Sequence, residues 1–407
     1  MQRGRRVARD ETVSPGTAIR RMCLVLFGTY DVNAHPRVAV LTEGLSSRGH
    51  DLRQCNVPLR LPTAARVAML QQGWRLVSLV VRLGRSWPAL LIRAWRLPRP
   101  DAVIVGYMGH FDVHLARLLF PRTPIVLDHL IGASDTAQDR GEQGRVKLAL
   151  LSAIDRAALS VSDVVVVDTE EHRQQLPSGV ATKAVVVPVG ASASWFRAAS
   201  ARPAQPAGGG KPLRVVFFGL YTPLQGAVVI GAALALLADS PIEVTMIGDG
   251  QDRDATEAAT RGAGGITWID WVSPPDLPVL VAGHDVCLGI FGTTPKARRV
   301  VPNKVFQGAA AGCVIITSDT RPQRDILGDA ALYVPPGDPR ALAAALRGLA
   351  DDPAEVAALS RKARNRARER FTPQATVGPL DNRLQAIADG RDRRWSTREE
   401  RKRRMQG

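Results

Sequence analysis

The sequence predicts an α/β chain built from two doubly wound domains, and three observations predict it. Short apolar runs ending in glycine open two stretches of the chain: MCLVLFG at 22–28 and LRVVFFG at 213–219. Each reads as a buried parallel strand running into a turn and then a helix. Between the two stretches lies ARPAQPAGGGKP (201–212), whose Pro and Gly content is that of a linker. The 407 residues suffice for two domains of ordinary size, and 45% apolar with 23% charged residues is a globular composition. The expected division is a basic tail over 1–21, a first domain over 22–200, the linker, a second domain over 213–371, a final helix over 372–388 and a basic tail over 389–407.

In the first domain, a helix is expected from about Arg37 to Arg48, with Val38, Leu41 and Leu45 on one side and Gly49 ending it. Ligands of a doubly wound sheet sit beyond the C-terminal ends of its strands. The turn after the first strand holds Tyr30, Asp31, Asn33, His35 and Arg37, with Gly28 allowing either a close approach or simply a tight turn. It contains no G-x-G-x-x-G, which argues against a nicotinamide cofactor. Segment 52–100 carries nine arginines and no Asp or Glu. A helix over 69–85 would set Arg75, Arg82 and Arg85 against Leu70, Leu76, Val77, Val80 and Leu83, with Trp74, Trp87 and Trp95 interspersed and Pro88 dividing the segment into two helices. Such a segment suits an interfacial contact with an anionic membrane, or equally a core-packed helix with an arginine-rich outer face.

Next come a strand over 101–106, a loop with His110, and a strand running into Asp128, His129, Ser134, Asp135 and Thr136, where Arg140 is expected to pair with Asp135. A helix near 145–160, a strand over 163–167, a helix near 169–176 and a strand over 184–187 complete the domain. In the second domain, Gly219 lets the backbone approach a ligand ahead of a helix from about Leu224. Gly248 and Gly250 mark the following strand–turn. Asp249, Asp252 and Asp254 lack the Gly and terminal Glu of a calcium loop, and no metal is expected. Trp268 and Trp271 are expected to pack, or to flank a base.

The richest stretch is 284–327: a strand over Val286–Ile290, a basic loop, a helix over Pro302–Ala311 with Pro302 in its first turn, and a further strand from Val314. Lys296, Arg298 and Arg299 precede that helix and Lys304 lies in its first turn. Cations there oppose the helix dipole, so they need a second reason, and a bound diphosphate supplies one.

The run PNKVFQGAAAG (302–312), followed by VII and the P-Q-R-D turn (322–325), resembles the donor-binding segment of the retaining family 4 (group 1) glycosyltransferases, which have the GT-B fold. The Gly-His loop at 109–110 and DHLIGASDTAQDR (128–140) resemble the acceptor side of the same family. The resemblance implies two Rossmann-like domains facing across a cleft, with the last helix crossing back to the first. It implies a nucleotide-diphosphate-sugar donor held by Gly219, Tyr221, Gln225, Gly248, Gly250, Lys296, Arg298, Arg299, Asn303, Lys304 and Gln307. It places Gly28, Tyr30, His35 and Arg37 on the acceptor side and His110 and Asp128 nearest the chemistry, with Arg324 and Asp325 at a hydroxyl-binding turn. The two Glu positions of the family read Arg299 and Gln307, and its Arg/Lys pair after the first strand is replaced by Leu220 or Tyr221 and Gln225. The cations of 296–304 are then expected to do that work, in a transfer to a glycan or lipid-linked acceptor for envelope or exopolysaccharide synthesis. The alternative is a non-catalytic sugar-nucleotide- or glycan-binding protein of the same fold.

A net charge of +16 fits anionic partners, whether phosphorylated substrate, acidic lipid or nucleic acid. No nucleic-acid module or stacking motif occurs and aromatics are only 5% of residues, which argues against the last. Cys23, Cys55, Cys287 and Cys313 lack metal-ligand spacing and suit a reducing compartment. The N-terminal apolar run is short and has no cleavage-site pattern, and no run approaches the ~18–20 residues of a membrane span, so a cytoplasmic location is expected.

Overall fold

A computed structural model describes residues 20–31, 35–59, 73–130, 132–201 and 211–390. Most of both basic tails (1–19 and 391–407), most of the linker (202–210), Asn33 and Leu70 lie outside the described residues, as do the side chains of Trp74, Arg75, Leu76, Val77 and Val80.

Two six-stranded sheets, parallel throughout, form two lobes. The first has the order β2-β1-β3-β4-β5-β6, from β1 (Cys23–Gly28), β2 (Asp51–Asn56), β3 (Ala102–Val105), β4 (Ile125–Asp128), β5 (Val164–Val167) and β6 (Ala184–Val186). The second has the order β12-β11-β10-β7-β8-β9, from β7 (Leu213–Phe218), β8 (Ile242–Ile247), β9 (Ile266–Ile269), β10 (Val286–Leu288), β11 (Val314–Ser318) and β12 (Leu332–Val334). The chain reverses direction across the sheet between β1 and β3 in one lobe and between β7 and β10 in the other. At such switch points neighbouring loops part and leave a crevice. Inner strands such as AVIV, IVLD and VVVV are buried at every residue, as sheets covered on both faces require.

The lobes exchange segments. Helix Ala193–Ala201, which the sequence reading assigns to the first domain, packs on the second: Val189, Ala191, Trp195 and Ala198 share a core with Val216, Phe218, Val305 and Phe306, and Trp195 stacks on Phe218 at 5.6 Å. The last helix, 378–390, returns to the first lobe. Its Leu380 and Leu384 pack among Val38, Leu41 and Leu45, and Asp381 is 3.0 Å from both Arg48 Nη1 and His50 Nε2. Apolar periodicity finds such helices, but it carries no information about which sheet they cover.

Pro88 does not divide its segment: Gly73–Trp95 is one helix with the proline inside. An interior proline clashes with the carbonyl four residues earlier. That residue is Gly84, where a Cβ would meet no atom beyond the helix's own backbone, while Leu83, Leu90 and Ala94 on the buried side hold the helix down. Pro302 is extended (φ −74°, ψ 155°) and precedes its helix, Asn303–Ala310, instead of starting it. Among the described residues no helix is long and apolar enough to cross a membrane.

Candidate active site

The second lobe's switch point is built from backbone that tolerates no side chain. Gly219, at the end of β7, and Gly248, at the end of β8, have φ of +139° and +121°, values an L residue avoids. A Cβ on Gly248 would collide with the Gly219 carbonyl. Hydrogen bonds from Gly219 N to Ile247 O (3.0 Å) and Tyr221 N to Asp249 O (3.0 Å) bind the two turns together. Gly250 comes as close: a Cβ there would lie 2.5 Å from Tyr221 O. Tyr221 is fully buried, edge-on to Phe217 (5.5 Å) and under the Arg253 guanidinium (5.3 Å). Burial pushes its phenol up to about 12, so it stays protonated. Arg253 also covers Trp268 at 4.5 Å, which gives Trp268 a packing role, whereas Trp271 is exposed. Gln225 closes the turn through its backbone carbonyl, which accepts the Phe291 N–H at 3.0 Å, while its side-chain oxygen has no hydrogen-bond partner among the described residues.

Lys304 reaches this turn from the second position of helix Asn303–Ala310. Its Nζ sits 3.5 Å from the Phe217 ring centre, and a Cβ on Gly219 would lie only 3.3 Å from it. The residue is buried and Nζ has no hydrogen-bond partner among the described residues. Burial holds the ammonium well below its ordinary pKa. An unpaired buried cation facing a glycine turn and a helix N-terminus fits an anion. Asn303 is half-buried at the first position of that helix and Gln307 is buried one turn on from Lys304.

The other expected donor cations do something else. Arg299 Nη2 lies 2.5 Å from Asp135 Oδ1, and Lys296 Nζ donates to Thr136 Oγ1 at 2.7 Å with Asp135 Oδ2 at 3.6 Å. Thr294 donates to Asp139 (2.6 Å), and Thr169 donates to the Arg299 carbonyl (2.8 Å). These contacts join the lobes. The partners expected from sequence are therefore corrected: Asp135 pairs with Arg299 and Lys296 across the junction, not with Arg140. Arg298 is exposed, and Arg324 is paired with Asp319 at 2.5 Å, with Asp325 exposed beside it. The four-cation cluster thus separates into an interlobe latch, a surface arginine and one buried, unpaired ammonium.

On the first lobe, His110 Nε2 lies 3.0 Å from Asp155 Oδ1, and His129 stands edge-on to His110 at 5.6 Å. Burial raises the Asp155 carboxyl, but His110 and the N–H groups of Ala133 (2.9 Å) and Ser134 (3.1 Å) outweigh it and hold it ionised. Burial, with His110 adding to it, lowers His129 to about 4 and keeps that ring neutral. Burial also depresses His172, but Asp168, 2.5 Å from its Nδ1, overcomes it and raises the pKa. Asp155, Asp168 and His172 escaped the sequence reading. The available signals were an acid within an apolar helix and an Asp after the VVVV strand four residues before a His.

The remaining first-lobe residues close on one another. Arg37 Nε binds both oxygens of Asp128 (2.9 and 3.1 Å) and its Nη1 donates to Pro188 O (2.7 Å). Burial raises the Asp128 pKa and Arg37 opposes it. Tyr30 is buried between Gly28 and Gly106, its hydroxyl 3.4 Å from Gln54 Oε1, and His35 stacks on Tyr107 at 4.0 Å. Asp128 and Arg37 are brought together as a buried ion pair, while His110 belongs to a separate carboxylate-held group.

Residues 212–352 match the sequence profile of the family described as Glycosyl transferases group 1. Compared with curated protein sequences, the chain has no significant match. Among solved structures it is similar to sucrose-phosphate synthase from Thermosynechococcus elongatus (TM-score 0.66, 15% identity, 90% of this chain and 100% of that one). It is also similar to the UDP-forming α,α-trehalose-phosphate synthase of Burkholderia vietnamiensis (TM-score 0.62, 14% identity, 92% and 99%). Anabaena HepE, solved in complex with UDP and glucose, aligns with TM-score 0.57 at 12% identity over 91% and 100% of the two chains. The fold is GT-B, and residues 212–352, the lobe that holds Lys304, are a glycosyltransferase group 1 domain.

Proposed function

We propose that this chain transfers a sugar, with retention of configuration, from a nucleotide-diphosphate sugar to a glycan or lipid-linked acceptor in cell-envelope or exopolysaccharide synthesis. The observation that carries this reading is Lys304: a buried ammonium without a partner, set against the Gly219 turn at a switch point. The presence of UDP in a structural neighbour supports a nucleotide donor.

As the glycosidic bond breaks, the anomeric carbon gains oxocarbenium character and the diphosphate takes on negative charge. Lys304, the N–H groups at the start of helix Asn303–Ala310 and the close-packed Gly219 turn stabilise that charge from fixed positions. Gln307 offers hydrogen bonds to a diol without charge assistance. The departing phosphate takes the acceptor proton on the same face, and no metal is required. His110, oriented by Asp155, acts at the acceptor hydroxyl from the first lobe. The latch of Asp135, Thr136, Lys296 and Arg299 holds the lobes together and limits water at the reacting carbon.

The test is calorimetry with UDP, GDP and ADP sugars, followed by NMR of the product's anomeric configuration. Tight binding of one donor, lost in Lys304→Met, with a retained product, is expected. No donor affinity, or equal affinity in Lys304→Met, would overturn the reading. A non-catalytic binding protein is favoured by one observation: Arg299 stands where the family has Glu and is engaged at the latch. Donor binding with no release of nucleoside diphosphate would decide for it.

A further inference from the structure

We infer that the outer helical layer of the first lobe is a docking surface for an anionic lipid membrane. Three helices cover one face of the first sheet: Gly73–Trp95, Asp112–Leu119 and Arg145–Val161. Leu90, Ala94, Val113, Ala116, Ala158 and Leu159 bury their inner sides in one core, and Trp87 Nε1 donates to Asp112 Oδ1 at 3.2 Å. The layer is therefore rigid and continuous.

Its outer side is apolar where it should be polar. Val81, Ile92, Trp95, Leu118, Val146 and Leu150 are six of the eleven large apolar side chains exposed among the described residues. The other five lie on the second lobe, with Val228 and Leu236 on one helix and its cap and Leu220, Trp271 and Val279 apart from one another in sequence. Trp95, Leu118 and Val146 are 78%, 76% and 86% exposed. Val81, Arg85, Pro88, Ile92 and Trp95 recur at steps of four, three, four and three, which makes one straight stripe on the solvent side of a helix. Arg82 and Arg96 run beside it, and Gly73–Trp95 contains no acid to pair with them.

This combination selects its occupant. A second copy presenting the same face would bring arginines against arginines. Nucleic acid would satisfy the arginines but leave Ile92, Leu118 and Val146 without a partner. A bilayer interface with acidic headgroups takes both: the aliphatic side chains and the Trp95 ring enter the headgroup–acyl boundary, and the arginines lie along phosphates with their stems on apolar surface. The inference does not depend on the glycosyl-transfer reading, since it concerns another face and is measured without donor.

The experiment is sedimentation of the full chain with vesicles of phosphatidylcholine alone and of phosphatidylcholine with ~30% phosphatidylglycerol, alongside tryptophan emission, with the difference between the parent and Trp95→Ser taken as the Trp95 signal. Binding to the acidic vesicles only, with a blue shift, is expected. Ile92→Ser with Trp95→Ser leaves the charge unchanged, so tail electrostatics stay constant, and should weaken partitioning by about tenfold or more. Arg85→Gln with Arg96→Gln should weaken it by about tenfold at low salt and little at high salt. Trp271→Ser, on the other lobe, should change nothing. Parent-like sedimentation of Ile92→Ser with Trp95→Ser, or equal binding to neutral vesicles, would overturn the inference. So would duplex-DNA binding that the same apolar pair of substitutions abolishes.

Discussion

The two switch points begin with local sequences that differ at one residue, FGTY at 27–30 and FGLY at 218–221, and end as opposites. In the first lobe the tyrosine folds inward: Tyr30 fills the crevice between Gly28 and Gly106, and Thr29 donates to Asp112 from both its backbone N (2.8 Å) and its hydroxyl (2.7 Å). Nearby, Arg37 Nε binds Asp128 in a site closed to water, while its Nη2 has no hydrogen-bond partner among the described residues. In the second lobe Gly248 and Gly250 draw the turn the other way, and Tyr221 lies under Arg253. The crevice position beside Gly219 goes to Lys304, which has no partner. One mouth sets its cation against a carboxylate, and the other buries an amine with only the Phe217 ring beside it. Buried charges are normally paired, so the difference locates the binding chemistry better than composition does.

The largest effect should come from breaking the first mouth. Arg37→Met leaves Asp128 buried without its counter-ion and should cost about 3–5 kcal/mol in urea unfolding. Adding Asp128→Leu should recover most of that loss, with donor affinity unchanged in the double variant. A fall in kcat or a rise in KM for acceptor in the double variant would place this pair at the acceptor side of the site, as the resemblance implies.

Lys304→Met tests the other mouth and should act in two directions. Donor affinity by calorimetry should fall by about 10- to 100-fold, the loss of a charge-assisted hydrogen bond. The ligand-free protein should gain about 1–3 kcal/mol, because a desolvated ammonium is removed. A stabilised, binding-deficient variant is the signature of a residue kept for function; a destabilised one would make Lys304 a structural group.

The same lysine predicts a pH dependence. Burial lowers its folded pKa well below 10.5, so between those values the folded chain holds fewer protons than the unfolded one. Stability of the ligand-free protein therefore rises with pH across that window. A bound diphosphate favours the charged form, so binding should take up a proton and weaken as pH rises through the window. Calorimetry in buffers of different ionisation enthalpy should show that uptake in the parent and its absence in Lys304→Met.

The smallest effect should be at the latch. Asp135 and Arg299 are each partly exposed, and Asp135→Asn should change stability by about 0.2–1 kcal/mol. It should act on KM for donor more than on kcat if the latch governs closure, and stopped-flow binding would show a slower closing phase.

Two α/β lobes and their strand–turn–helix openings were legible in the chain. Buried parallel strands, glycine turns and helix starts are written in local apolar patterns, and those patterns survive without tertiary context. The Lys304 position was legible for the same reason, as a cation in the first turn of a helix. What only the tertiary structure decided was the partner of each group. Lys296 and Arg299 look like Lys304 in sequence, yet Asp135 and Thr136 from another lobe claim them. Helix Ala193–Ala201 covers the sheet of the opposite domain, and Tyr30 and Tyr221 part ways after turns that differ only in Thr29 against Leu220. Charge pairing, sheet choice and crevice filling depend on residues far apart in the chain, and a local pattern carries no record of them.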